Sequence, residues 1–276
     1  RNVRLKFDKD SKIWSELYQV RSRANCKTYN QYDVYVRREN ALELLGDKPG
    51  SVLLDVGSGT GDFFSMYQRC YEIEAAYFTN VDFSFDMLRR QSRVSYLVNP
   101  GRIQADLTAV PLHDGIADSV VCLGVLEYIS EWERAIEEVV RVLAPGGLVV
   151  MSIPNKSSLF RYIDNRRWRP LRWLFSRIGV LSRFKKILRK DLASPSNGEC
   201  SDLYDHTEFE VSRFLLLLEN YGLQVAEIRY SRFFFSILNC PRISMIGDDF
   251  LSLIARKWSL LYRQGMTVVL SARKII

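Results

Sequence analysis

The chain of 276 residues is predicted to form an α/β domain on a parallel sheet covered by helices on both faces. Three observations predict it. From residue 51 onward, short and nearly continuous apolar runs alternate with segments of helical period, the pattern of strands buried on both sides. A glycine-rich turn, Gly57-Ser58-Gly59-Thr60-Gly61, joins the first of those runs to a helix. A hydrophobic share of 47% with 26% charged residues excludes a disordered, collagen-like or disulfide-scaffold protein.

The elements follow in order. Residues 1–50 read as a helical cap, with Trp14, Leu17 and Tyr18, then Tyr35, Leu42, Leu44 and Leu45 at helical spacing. Lys48-Pro49-Gly50 ends it by removing a donor and permitting a turn. Strands are expected at 51–56, 76–81, 102–105, 119–124 and 148–153. Helices are expected at 61–69, 84–93 and 130–143, the last stopped by Pro145-Gly146-Gly147. A basic insert follows at 155–205, read as short helices broken near Pro170 and Gly179. Residues 206–276 complete the same domain with a helix at 207–221, a strand at 223–229, a helix around 249–261 and a final strand at 267–272. There is no internal repeat.

Charge is distributed unevenly. Residues 156–190 hold twelve Lys or Arg against one acid, Asp164, a net +11 in a chain whose total is +7, so the remainder carries −4. The five cysteines, Cys26, Cys70, Cys122, Cys200 and Cys240, are odd in number and form no CxxC pair. That argues against a disulfide framework or structural zinc, and for a reducing, cytoplasmic compartment. No run approaches the roughly 20 apolar residues of a membrane span, and residues 1–12 lack the apolar centre of a secretory signal. A soluble protein is expected.

The most informative stretch is 53–62. A strand delivers Asp55, and three glycines then let the backbone turn tightly into a helix N-terminus, where unpaired N–H groups favour an anion. Asp82 falls at the end of the second strand, 21 residues after Gly61, where a carboxylate can accept both hydroxyls of a ribose. Asp106 ends the third strand, placed to accept from an exocyclic adenine amine. Three acids at successive strand ends line the crevice where open parallel sheets bind ligands. Together they describe an adenosine-containing ligand with an amino-acid-like end. The rival is a nicotinamide-dependent oxidoreductase, but Asp62 stands where the third glycine of GxGxxG would fall.

These residues resemble the class I S-adenosylmethionine-dependent methyltransferases over roughly residues 7–274. The matching blocks are 52–61, 80–88 (NVDFSFDML), 104–118 (QADLTAVPLHDGIAD), 123–129 (LGVLEYI) and 143–147 (LAPGG). The blocks are most similar to small-molecule members, including the ubiquinone-biosynthesis O-methyltransferases. The resemblance implies a Rossmann-like sheet of seven strands, mostly parallel with the last antiparallel, and the helical basic insert after the fifth. It implies that 51–154 is the cofactor-binding half and that S-adenosyl-L-methionine is the cofactor, leaving S-adenosyl-L-homocysteine. Asp55 with Gly57, Ser58, Gly59 and Gly61 would hold the methionine end. Asp82 would take the ribose and Asp106 the adenine amine, with Met87 and Leu107 flanking the ring and Phe83 and Leu123 among the cofactor contacts. The chain departs from the family at Tyr128, where the VLEH form has His, and at His113, where an aromatic is common.

Methyl transfer from a sulfonium gains most from positioning, but a hydroxyl nucleophile still benefits from a base. His206, just before a helix, is the leading candidate, and the alternative is a loop histidine that serves the helix entry. Glu127 and Tyr128 after the fourth strand could touch donor or acceptor, and His113 is a weaker choice. No Asn/Asp-Pro-Pro-Tyr/Phe motif and no Pro-Cys nucleophile is present, which disfavours base methylation. No metal site is expected. In the insert, Arg166-Arg167-Trp168-Arg169 and the 181–189 stretch interleave aromatic and aliphatic residues with cations. That suits peripheral contact with an anionic membrane at its inner face, and a plain lid over the sheet is the competing reading. The expected acceptor is small or lipid-linked and methylated at oxygen. An RNA substrate and a non-catalytic binding module are the alternatives, the first disfavoured by the acidic remainder. Oligomeric state is left open.

Overall fold

In the computed structural model, the residues described are 2–18, 20, 22–47, 50, 52–71, 77–91, 100–163, 207–234 and 241–275, with nothing said of the side chains of 2–6, 9, 241 and 243. The chain runs α1 (Asn2–Tyr18), a 3-10 turn (Arg23–Asn25), α2 (Tyr29–Leu45), β1 (Val52–Val56), α3 (Asp62–Cys70), β2 (Tyr77–Asp82) and α4 (Phe85–Arg90). It continues with β3 (Gly101–Gln104), β4 (Ala117–Leu123), a 3-10 turn (Leu126–Tyr128), α5 (Trp132–Val142), β5 (Leu143–Pro154) and α6 (Leu159–Ile163). Last come α7 (Val211–Asn220), β6 (Leu223–Ser231), α8 (Pro241–Lys257), α9 (Ser259–Tyr262) and β7 (Thr267–Lys274).

The seven strands form one sheet in the order β3-β2-β1-β4-β5-β7-β6. Neighbours from β3 to β5 are parallel, and β7 runs antiparallel to both β5 and β6. The expected sheet is present. Its order reverses between β1 and β4, and it is there that open α/β sheets leave a crevice beyond their strand ends.

Both faces are covered because the central strands are apolar on both sides. Leu54, Val56, Val120 and Cys122 point into a core shared with α5 and α7, whereas Leu53, Val121 and Val150 face α2 and α3. In α5, Ala135, Ile136, Val139 and Val142 fall on one stripe and are all buried. Burying each of the Ile and Val side chains contributes about 1.5–3 kcal/mol, which explains why this register is fixed.

Three boundaries differ from expectation. Residues 207–210 are extended instead of helical, because Phe209 pairs with the strand end: its N–H reaches Pro154 O at 3.1 Å, and Lys156 N–H reaches Phe209 O at 2.9 Å. Those bonds satisfy the backbone that a first helical turn would have left unpaired. The helix expected at 249–261 starts at Pro241, a residue suited to the first turn of a helix. The helix α5 gives way to strand at Leu143, and the register shift between Ala117 and Ser119 absorbs the Pro-Gly-Gly turn. The insert beyond Ile163, including nearly all of the basic stretch, lies outside the described residues.

Candidate active site

A cleft of about 610 Å³ opens above β1, β2 and β4, within the usual range for small-molecule sites. Its lining includes Gly57, Gly59, Asp82, Phe83, Met87, Asp106, Leu107 and Tyr128, all anticipated from the sequence. Phe7 and Tyr18 of α1, and Gly124 to Ile129 in part, complete it.

The glycine turn is held in place from behind. Gly57 N–H and Ser58 N–H donate to Val81 O at 2.7 and 3.1 Å, and Gly61, with φ 74°, caps α3 in the left-handed conformation. Gly57 itself has φ 70°, and a Cβ there would meet Val125 Cγ2 at 2.1 Å. Only glycine fits that approach. Asp82 accepts from Gly59 N–H and from Ser84 N–H, both at 2.8 Å, one on each oxygen. It therefore anchors the turn and still has lone pairs for a diol. Burial pushes its carboxyl up to about 6, against the opposing pull of those backbone donors. Gln91 adds a second tie: its Nε2 donates to Gly59 O at 2.8 Å and Ser58 Oγ at 3.0 Å, while its Oε1 accepts from Asn80 at 3.0 Å. Gln91 was not anticipated, since a lone amide after a short helix carries no sequence signal.

Asp55 sits at the end of β1 below the turn, buried, with Oδ2 lacking a hydrogen-bond partner among the described residues. Burial pushes its carboxyl up to about 8; Arg38 opposes this, and Asp82 and Asp62 add to it. Arg38, on α2, is buried as well. Its Nη1 donates to Tyr18 O at 2.8 Å and its guanidinium lies 5.1 Å from the Tyr18 ring centre. Asp55 stands behind the cleft wall and does not line it, yet a buried acid with an unpartnered oxygen beside a glycine turn suits a cationic or hydrogen-bonding group from a ligand.

The far end of the cleft is apolar. Asp106 lies two residues beyond β3, and its Oδ1 accepts from Thr108 N–H and Oγ1 at 2.9 and 2.8 Å, which orients the carboxylate. Met87 and Leu107 are buried beside it. The α1 helix closes the cleft from above. Phe7 stacks on Trp14 at 5.5 Å and meets Phe83 and Tyr128 edge-on at 5.6 and 5.5 Å. Asp8 accepts from Ser84 Oγ, and Arg90 Nε donates to Ser11 Oγ at 3.0 Å, fastening α1 to α4.

The remaining sequence candidates are placed as follows. Leu123 is not in the lining; it packs on the opposite side, against the α2 and α3 core. Ser58 and Gly61 belong to the turn but not to the cleft wall, and Ser58 is turned to Gln91. Glu127 is buried beneath Gly124, where Arg37 Nη1 lies 3.9 Å from its Oε1 and Asp33 holds the other side of that guanidinium at 3.3 Å. A Cβ at Gly124 would come within 2.3 Å of Arg37. His113 is exposed in the loop before β4 and does not line the cleft. His206 lies outside the described residues, while Thr207 N–H donates to Glu127 O at 2.8 Å. The pair Asp33 and Arg37 escaped notice because charged residues four apart on a helix usually decorate its solvent face.

Residues 54–151 match the methyltransferase domain family. The chain is 34% identical over 121 residues to a demethylmenaquinone methyltransferase of Thermus thermophilus, covering 42% of this chain and 54% of that protein. It is 31% identical over 107 residues to a tRNA (carboxymethyluridine(34)-5-O)-methyltransferase of Arabidopsis thaliana, covering 38% of this chain and 24% of that one. The chain thus spans about half or less of the length of these curated relatives. Its fold is similar to the magnesium protoporphyrin IX methyltransferase of Synechocystis PCC 6803 with bound S-adenosylhomocysteine, at a TM-score of 0.58 and 17% identity over 99% of this chain and 98% of the other. The sheet order, the glycine turn between β1 and α3, and the match over 54–151 support the class I S-adenosylmethionine-dependent methyltransferase superfamily.

Proposed function

We propose that this protein transfers the methyl group of S-adenosylmethionine to a small-molecule or lipid-linked acceptor, at a hydroxyl oxygen. The observation that carries the reading is the buried Asp55 carboxylate, whose Oδ2 has no partner among the described residues, next to a turn that Asp82 and Gln91 hold open. The residues fit the cofactor: Asp55 with the Gly57–Gly61 turn suits its amino-acid end, Asp82 its ribose, and Asp106, Met87 and Leu107 its adenine. When bound, the cofactor supplies a methyl group already activated on a sulfonium.

The protein's own work is then orientation, exclusion of water and removal of a proton. Phe7, Phe83 and Tyr128 form an apolar collar that keeps water from the cleft. Arg37, held by Asp33 and Glu127, fixes the turn carrying Tyr128. His206 is the proposed base, taking the hydroxyl proton as the oxygen accepts the methyl group, with Tyr128 flanking the acceptor and Glu127 holding Arg37 beneath Gly124. The Thermus relative, named for demethylmenaquinone, supports a small-molecule acceptor.

The test is transfer of labelled methyl from S-adenosylmethionine to prenylated phenols, lipid-linked sugars and bulk tRNA. Label in the lipid-extractable products supports the reading, whereas label in RNA alone replaces it with the RNA alternative. For the base, His206→Ala should lower kcat by about 10²–10⁴-fold with cofactor affinity unchanged. An unchanged kcat would remove His206 from the mechanism.

A further inference from the structure

Among the described residues, large exposed apolar side chains concentrate on α8 and α9, away from the cleft. Ile246, Phe250, Leu253, Trp258 and Leu260 are between 62% and 81% exposed, an unusual amount of large apolar side chain on one surface. Ile246, Phe250 and Leu253 recur at three- and four-residue spacing and so share one face of α8. Exposed cations stand on that face near both ends of the helix, Arg242 in its first turn and Lys257 at its last residue. Of the two acids of α8, Asp248 is buried, and Asp249, half-exposed at the edge of the stripe, is paired with Arg23. Asp248 accepts from Phe233 and Phe234 N–H at 2.5 and 3.0 Å, and Asp249 accepts from Tyr32 Oη at 2.5 Å and pairs with Arg23 at 3.1 Å.

We propose that this α8–α9 face docks the protein on an anionic phospholipid surface. An apolar stripe with cations at its ends, its one half-exposed acid paired with Arg23, and a tryptophan at the boundary is the composition of a helix lying in a membrane interface. The charge argues against a second copy as the occupant, because two such faces would bring Arg and Lys against Arg and Lys. Helix α6 is fastened next to α9: Ser158 Oγ donates to Gln264 O at 2.5 Å, and Leu159 N–H donates to Gln264 Oε1 at 2.8 Å. From α6 the chain enters the stretch that brings residues 156–190 to a net +11. The proposal stands on this surface and not on the methyl-transfer reading.

The experiment is sedimentation of the whole protein with vesicles, without cofactor or acceptor. The vesicles contain either about one third phosphatidylglycerol or phosphatidylcholine alone. Binding should be strong to the first, weak to the second, and should fall as salt rises. The variant F250S/L253S/W258S should bind the anionic vesicles at least about tenfold more weakly. Its fold is checked by cofactor affinity, since none of the three lines the cleft. Equal binding of variant and wild type would overturn the proposal by assigning the contact to the basic segment alone. A wild-type dimer that the variant dissolves, with no vesicle binding by either, would overturn it in favour of a second copy. Failure here leaves methyl transfer standing, and failure of methyl transfer leaves this surface unexplained by any other occupant.

Discussion

Binding of the cofactor should expel a proton from Asp55. In the unliganded protein the buried carboxyl is pushed up to about 8, so at pH 7 it is about nine-tenths protonated. Pairing with an ammonium group requires the ionised form, and the proton must leave as the complex forms. The expected release at pH 7 is therefore about 0.9 proton per binding event, and the association constant should rise roughly twentyfold between pH 6 and pH 7.5. Calorimetric titration in two buffers of different ionisation enthalpy reads this number directly. Asp55→Asn, which cannot ionise, should abolish the release and flatten the pH dependence. A wild-type release below about 0.2 proton would refute the reasoning, because Asp55 would then either be ionised already or make no contact with the ammonium. The same shift has a consequence for the unliganded fold. The folded state holds a proton that the unfolded chain, at an ordinary carboxyl value of 3.8, has lost. Stability from Asp55 is thus present at acid pH and declines as pH rises from about 4 to 8, and Asp82, raised to about 6, adds a decline in the same direction over a narrower window.

Three further outcomes are expected. Asp82→Ala removes the acceptor of Gly59 N–H and Ser84 N–H and should weaken cofactor binding by about a hundredfold, while Asp82→Asn, which keeps one acceptor oxygen, should lose less; equal losses would detach Asp82 from the turn. Gly57→Ala must carry a Cβ at φ 70° and 2.1 Å from Val125, so urea unfolding should show a loss above about 1 kcal/mol together with a cleft that no longer binds ligand. Gln91→Leu leaves Gly59 O and Asn80 Nδ2 without their buried partner and should cost about 1–3 kcal/mol in the same assay; no loss would mean that the turn holds itself.

The sheet was legible because its signals are local. Strands buried on both faces read as apolar runs, and Gly57, Gly59 and Gly61 mark a turn where the backbone enters the left-handed region three times in five residues. The ligand side of the cleft followed from strand ends, since Asp55 and Asp82 close β1 and β2. The rest depends on long-range packing. Phe7 and Tyr18 look like ordinary amphipathic positions until α1 lies on α4 and brings their rings to Phe83 and the glycine turn. Asp33, Arg37 and Arg38 look like a solvated helix face, yet α2 buries them against β4 and the turn after it. Leu123 shows the limit of reading a motif by proximity. As an expected cofactor contact it stands one residue before Gly124, but strand alternation sends its side chain to the other face of the sheet. Thr207 to Glu210 were read as helix because nothing local reveals that Phe209 will pair with Asn155.

We assign this cleft to S-adenosylmethionine and its product. Isothermal titration of the purified protein with S-adenosylmethionine and with S-adenosylhomocysteine tests it most directly. Both should bind at a single site, and both should be lost together in Asp82→Ala. Binding of neither to the folded wild-type protein would contradict it.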